Sequence, residues 1–245
     1  MNSKDKINYI IDWIKNYTKS IKSQPVSLII GVSGGVDSAL TSTLCAHTGL
    51  KTIAISMPIK QNSSQHDLSL RHLDYLKNNF DNVDCKIIEL DNVFKIFEST
   101  MKDFNSDLAF ANSRSRLRMV TLYQVAQSNN GIVVGTGNKV EDFGVGFYTK
   151  YGDGGVDISP IADCNKTEVW ELGKELGILE EIINAAPTDG LWDDGRTDEG
   201  QLGLSYKELE EAMNNENSVN REKYNSIRNA NLHKMEPIPV CKIPN

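Results

Sequence analysis

The chain has 245 residues, with 26 lysines and arginines against 33 aspartates and glutamates, a net charge of −7. That length suits one α/β domain, and 39% apolar with 24% charged residues is the balance of an ordinary globular chain. An acidic balance disfavours a grip on long nucleic acid, and no apolar run approaches the roughly 20 residues that span a bilayer, so neither nucleic acid nor membrane is an expected partner. No apolar leader opens the chain. The four cysteines, Cys45, Cys85, Cys164 and Cys241, form no C-x-x-C pair and have no histidine at zinc spacing. They read as reduced thiols of a cytoplasmic protein.

Ile7, Ile10, Ile11, Ile14, Tyr17 and Ile21 recur at helical spacing and predict an amphipathic helix over about residues 3–22, its stripe serving core or subunit packing. Ser23-Gln24-Pro25 ends it. Leu28-Ile29-Ile30 is a buried strand that runs into Gly31-Val32-Ser33-Gly34-Gly35-Val36-Asp37-Ser38 and then a helix to His47, stopped by Gly49. Thr52–Met57 is a second strand closed by Pro58, and Ile59–Gln65 is a polar loop, either plain surface or a flap over a ligand. A helix over His66–Phe80, a strand over Val83–Leu90 and a helix around Val93–Met101 follow.

Asn112–Ser128 reads as a helix with Arg114, Arg116 and Arg118 near its start, where cations oppose the helix dipole. Either an anion lies nearby or this is a solvated basic face. Its apolar stripe, Met119, Leu122, Tyr123 and Ala126, fits a core or an interface. A fourth strand, Ile132–Val134, ends in Gly135-Thr136-Gly137-Asn138, with Glu141 just beyond. Gly144–Asp157 holds five glycines, Asp153, Asp157 and Lys150, too glycine-rich for a helix. Long structured loops of this kind tend to carry function. Asn165 caps a helix over Lys166–Leu176. Pro187–Gly200 is irregular and acidic with Trp192 as an apolar anchor, Tyr206–Met213 and Val219–Leu232 close the helical count, and the tail from His233 carries three prolines. Strands alternating with helices imply parallel βαβ units and a ligand site at the carboxyl ends of the strands.

The segment Gly31–Ser38 carries the chemistry. Glycines let a ligand approach the backbone, and the free N–H groups at the following helix start face an anion. The lysine of the common nucleotide-triphosphate loop is absent. Asp37 lies inside the anion nest, where its charge makes sense if Mg2+ bridges it to phosphate oxygens.

This S-G-G-x-D-S string resembles the pyrophosphate loop of the ATP pyrophosphatases, which cut ATP between the α- and β-phosphates. Asn112, Arg116, Arg118 and Met119 match an NxxxRxRM string, Gly135-Thr136 with Glu141 resembles GT…E, and Phe147–Asp157 is similar to F[FY]TKYGDGGxD. Pro187-Thr188, Thr197-Asp198-Glu199 with Leu202-Gly203, and His233-Lys234 complete the pattern. Together these resemble the NAD synthetase family, in its ammonia-dependent form, since the chain has no room for the glutaminase domain of the glutamine-dependent form.

The resemblance implies a doubly wound, Rossmann-like parallel sheet of five strands with helices on both faces, adenine nucleotide alpha hydrolase-like, as a single domain over residues 1–245. It implies that ATP lies against Gly31, Val32, Ser33, Gly34, Gly35, Val36, Asp37 and Ser38, with Thr136, Lys166 and Thr188. Asp37 and Glu141 hold Mg2+ and, with Lys166, carry the catalysis. Arg116, Lys150, Asp157, His233 and Lys234 contact deamido-NAD, in a homodimer. The implied reaction joins ammonia to the nicotinate carboxylate through an acyl-adenylate, giving NAD+, AMP and pyrophosphate, with Asp153 or Asp157 as a base for the ammonia. A tRNA-modifying ATP pyrophosphatase and a non-catalytic nucleotide sensor are the rival readings.

Overall fold

The computed structural model describes residues 1–23, 25–61, 63–192 and 195–244. The parts of the expected loops and tail that fall on Gln24, Asn62, Asp193, Asp194 and Asn245 lie outside the described residues.

Four short strands, β1 (Ser27–Gly31), β2 (Lys51–Ser56), β3 (Val83–Ile87) and β4 (Gly131–Val134), pair in parallel in the order β3-β2-β1-β4. Leu28 stands opposite Thr52 and Ile132, Ile30 opposite Ala54 and Val134. Leu28, Ile29 and Ile30 are fully buried, the signature of a central parallel strand covered on both faces.

The helices are α1 (Ser3–Ser20), α2 (Val36–His47), α3 (Ser63–Asn79), α4 (Asp91–Thr100), α5 (Asp107–Ser128), α6 (Lys166–Glu175), α7 (Glu180–Asn184), α8 (Asp198–Leu202), α9 (Tyr206–Asn214) and α10 (Arg221–Met235). On one face of the sheet Ile14, Leu40, Leu44, Leu76 and Leu172 bring α1, α2, α3 and α6 onto Leu28 and Ile30. On the other, Phe94 and Ala126 bring α4 and α5 onto Ile29, Ile53 and Val133. A third apolar cluster, including Val140, Leu202, Tyr206, Leu209 and Tyr224, pins α8, α9 and α10 against a π-helix over Lys139–Val145. The chain leaves β1 toward β2 on one side and returns as β4 on the other, which opens a crevice at the carboxyl ends of β1 and β4.

Several expectations need correcting. Among the described residues the sheet has four strands, not five: past β4 Ile158 makes a single parallel bridge to Val134, and Pro160, with no N–H to donate, stops the ladder two residues on. β3 ends at Ile87, short of Leu90, and α3 begins at Ser63, inside the expected loop. α5 begins at Asp107, where the Ser106 side chain accepts from Ala109 N. The three arginines therefore lie beyond the first turn and do not oppose the helix dipole. α10 runs to Met235, so His233 and Lys234 sit in its last turn instead of a tail. In the α5 stripe, Ala126 is buried and Leu122 and Tyr123 pack on the second core, which makes this face core. Among the described residues, no helix is long and apolar enough to cross a membrane.

Candidate functional site

The phosphate loop is set by where β1 stops. Val32 N still donates to Ile55 O (2.8 Å), and then the chain turns at Gly34, whose φ of +94° belongs to glycine. A Cβ there would lie 2.5 Å from Gln65 O, because α3 packs its first turn directly onto the loop. Ser38 Oγ accepts from Ser33 N (3.1 Å) and donates to Gly35 O (2.9 Å), and Gly35 N donates to Ser33 Oγ (3.2 Å). Gln61 Nε2 braces the turn from outside through Ser33 O (3.2 Å). Gly35 is the N-cap of α2 and offers no side-chain cap, so the first-turn N–H groups of α2 face the crevice.

Beside the loop stands a buried charge cluster. Lys166, the first residue of α6, donates from Nζ to Asp37 Oδ2 (2.5 Å) and Glu141 Oε1 (2.9 Å). The lysine side chain is 2% exposed, the carboxylates 17% and 16%. Local structure aims each group. Asn165 N donates to Glu168 Oε2 (2.8 Å), fixing the start of α6. Asn138 Oδ1 accepts from Val140 N and Glu141 N (3.0 Å each), starting the π-helix, while its Nδ2 donates to Asp37 Oδ1 (2.9 Å). Tyr206 Oη lies 2.5 Å from Glu141 Oε1 and 3.1 Å from Asp198 Oδ2.

Burial works against the Lys166 ammonium, yet Asp37 and Glu141 outweigh it and hold it above the ordinary lysine range. Burial also works against the Glu141 carboxylate, but Lys166 and Tyr206 hold it below the usual range. Burial pushes the Asp198 carboxyl up to about 7, with Glu141 adding to the push.

Two carboxylates against one ammonium leave one negative charge in excess. Among the described residues no group of three or more His, Cys, Asp or Glu could hold a metal alone. Asp37 and Glu141 do supply hard oxygen donors next to the anion nest. Mg2+ is commonly held by one or two carboxylates with the rest of its shell from water and substrate phosphates, so this donor set fits it.

A second group of cations forms on the other side. Arg116 Nε donates to Lys150 O (3.3 Å), Lys150 Nζ reaches His233 O (3.5 Å), and Lys234 Nζ donates to Tyr148 O (2.6 Å). In return Tyr148 Oη donates to Lys234 O (2.7 Å). Arg116, Lys150 and Lys234 thus meet from α5, the glycine-rich segment and α10, with His233 beside them through its backbone carbonyl, and three cations suit an anion. The arginine trio divides its work. Arg118 Nε donates to Met57 O (2.9 Å), and burial pushes its guanidinium down to about 10. Arg114 Nη1 donates to Leu191 O (3.1 Å), and of the three only Arg116 is exposed.

The other expected residues are placed less centrally. Thr136 follows β4 at the mouth of the crevice, half-buried. Thr188 Oγ1 accepts from Gly190 N (3.1 Å), and Gly190 lies against Gln65 next to the phosphate loop. Asp157 is exposed, yet Oδ2 accepts from Val133 N (2.7 Å) and Oδ1 from Tyr123 Oη (3.1 Å), closing the edge of β4. Asp153 Oδ1 accepts from Ser115 Oγ (2.6 Å) and Thr149 N (3.0 Å), bracing the glycine-rich segment. Sequence reasoning missed Asn138 and Tyr206, and gave Asp198 no role. A polar residue before a helix is a capping signal that pointed to Asn138. Nothing local marks Tyr206, because its partners come from distant segments.

A family model described as NAD synthase matches residues 6–241. The NH(3)-dependent NAD(+) synthetase of Carboxydothermus hydrogenoformans is 37% identical over 215 residues, 86% of this chain and 85% of that protein. Among solved structures, the NMN synthetase of Francisella tularensis superposes with a TM-score of 0.89 at 30% identity, covering 99% of this chain and 100% of the other. The NH3-dependent NAD synthetase of Campylobacter jejuni superposes with a TM-score of 0.79 at 25% identity, again over 99% and 100%.

Proposed function

The chain belongs to the NAD synthase family and is a carbon–nitrogen ligase, and we propose that it amidates the nicotinate carboxylate of deamido-NAD with ammonia, using ATP, as the final step of NAD biosynthesis. The observation that carries the reading is the Asp37–Lys166–Glu141 cluster beside the Ser33–Ser38 loop. The loop and the N-terminus of α2 hold the ATP phosphates, with Thr136 and Thr188 at the rim. A nicotinate oxygen attacks the α-phosphate and pyrophosphate leaves. Charge builds on the phosphate oxygens in that step, and Lys166 is pre-positioned to offset it. Asp37 and Glu141 would hold Mg2+, which supplies further charge neutralisation when bound. Arg116, Lys150, His233 and Lys234 orient the dinucleotide phosphates, and Asp157 shapes the wall they share. Ammonia nitrogen then attacks the acyl carbon, a proton is lost, and AMP departs. No nucleophilic side chain of the protein is needed.

A second reading has a specific support. The likeness to an NMN synthetase, TM-score 0.89, makes the deamidated mononucleotide an alternative acyl substrate for the same chemistry. We further propose that the whole chain works as one catalytic domain, in a cytoplasmic homodimer; its free thiols accord with a reducing compartment.

The test is to incubate the protein with Mg-ATP and ammonium and either deamido-NAD or nicotinate mononucleotide, following pyrophosphate and amide product together. Equal formation of NAD+ and pyrophosphate from the dinucleotide is expected. A turnover preference for the mononucleotide would move the substrate to the second reading, and pyrophosphate without amide would overturn both.

A further inference from the structure

We propose that Tyr206 is a positioning residue: its hydroxyl fixes the Glu141 carboxylate against Lys166 and, through Asp198, ties that carboxylate to the segment carrying Thr188. The proposal rests on the reading above that Glu141 and Lys166 serve the adenylation step. Glu141 stands on a π-helix, a local widening frequent at functional sites, and its Oε1 is shared between Lys166 Nζ and Tyr206 Oη.

Tyr206 is built to supply that tether. It opens α9, is 1% exposed, and stands edge-on to Trp170 with ring centroids 5.8 Å apart. Lys166 Nζ lies 4.9 Å from its ring centroid, so the ring also borders the ammonium. Both ends of the residue are held by α8: Tyr206 N donates to Glu199 Oε1 (3.0 Å), and the hydroxyl meets Asp198 Oδ2 (3.1 Å). A phenol has one proton, and the shorter contact, 2.5 Å to Glu141 Oε1, assigns it there. Among the described residues Asp198 Oδ1 is buried with no partner, and with the phenol proton on Glu141 the proton of the 3.1 Å contact is the carboxyl's own, donated by Asp198 Oδ2 to Tyr206 Oη, while the Asp198 backbone N–H donates to Pro187 O (3.1 Å). That last bond joins the tether to the residue next to Thr188. A rigid path therefore runs from the charge cluster to the segment at the rim of the phosphate loop.

Tyr206→Phe keeps the ring and removes the hydroxyl. The expected result is a loss of about 10–100-fold in kcat, the usual cost of removing an outer hydrogen bond to a site carboxylate. KM for ATP should stay within about threefold and the ligand-free melting temperature should stay near that of the parent. Mn2+ affinity, read by electron paramagnetic resonance with α,β-methylene-ATP, should weaken about tenfold or more. In a Glu141→Gln background the same change should add little, because Tyr206 acts through Glu141. Asp198→Ala leaves the ring and the Glu141 bond and should cost about three- to tenfold in kcat, which keeps the tether testable if the phenylalanine variant melts early. Parent-like kcat and Mn2+ affinity in Tyr206→Phe, equal cost in both backgrounds, or an unaffected Asp198→Ala would each overturn the proposal. The Mn2+ arm needs no turnover, so a failure of the substrate assignment shows up separately, as absent amide product in the parent enzyme.

Discussion

At the scale of single residues, Lys166 decides the site. Among the described residues its ammonium is the cation bonded to both carboxylates, and removing one partner of such a set leaves uncompensated charge. Lys166→Gln should lower kcat by about 10²–10³-fold, measured by pyrophosphate release. It should also lower stability by about 3–5 kcal/mol. Because the two carboxylates then lose their shared ammonium, Mg2+ should raise the melting temperature of the variant more than that of the parent. Equal Mg2+ effects on both would separate Asp37 and Glu141 from metal binding. The types of these residues were legible in the sequence, Asp37 from its odd place in an anion nest. Their meeting was not, because they are far apart in the chain and are joined only where α6 and the start of the π-helix come against the start of α2.

At the scale of elements, α2 and α3 share a buried polar contact behind the phosphate loop. Ser42 Oγ donates to Ser38 O (2.7 Å), so it accepts from His72 Nε2 (2.9 Å), and among the described residues His72 Nδ1 is buried without a partner. Burial pushes the His72 imidazole down to about 4 from 6.5. Between those values the unfolded chain binds the proton and the folded chain does not. The His72 contribution to stability should therefore fall as pH drops from about 6.5 to 4, by about 3 kcal/mol, and be flat above, while the raised Asp198 carboxyl works in the opposite direction over the same range. Urea unfolding across pH 4–7 checks it, and His72→Gln, which keeps a donor for Ser42, should lose that part of the slope. Periodicity located every sheet strand and the long helices, while several ends shifted. α5 starts five residues before Asn112 because Ser106 supplies a cap, and the missing fifth strand reflects Pro160, whose effect depends on where the β4 edge lies.

At the scale of the whole molecule, several large apolar side chains stand exposed. Ile96 on α4, Phe104, and Leu108 and Val120 on α5 are all exposed, Phe104 at 73%. The homodimer proposed above would have reason to form here, since the inward stripe of α5 is already spent on the core. Leu108→Asp should shift the protein toward a monomer mass in sedimentation velocity, with the melting temperature little changed. A parent protein that is monomeric and fully active would overturn the dimer.

The parallel α/β architecture, the glycine turn at Gly31–Ser38 and the family could be read from the sequence, because each is written in short-range patterns. Apolar runs, helical spacing, glycines at a turn and a linear string such as KYGDGG need no distant partner to be read. What needed the tertiary structure is that Arg114 and Arg118 brace the fold while Arg116 stays exposed, that Asp157 closes the edge of β4, and that Tyr206 and Asp198 stand behind Glu141. Those roles depend on the direction and burial of side chains brought together from distant segments, and a hydrogen bond across 65 residues leaves no mark on either local stretch of chain.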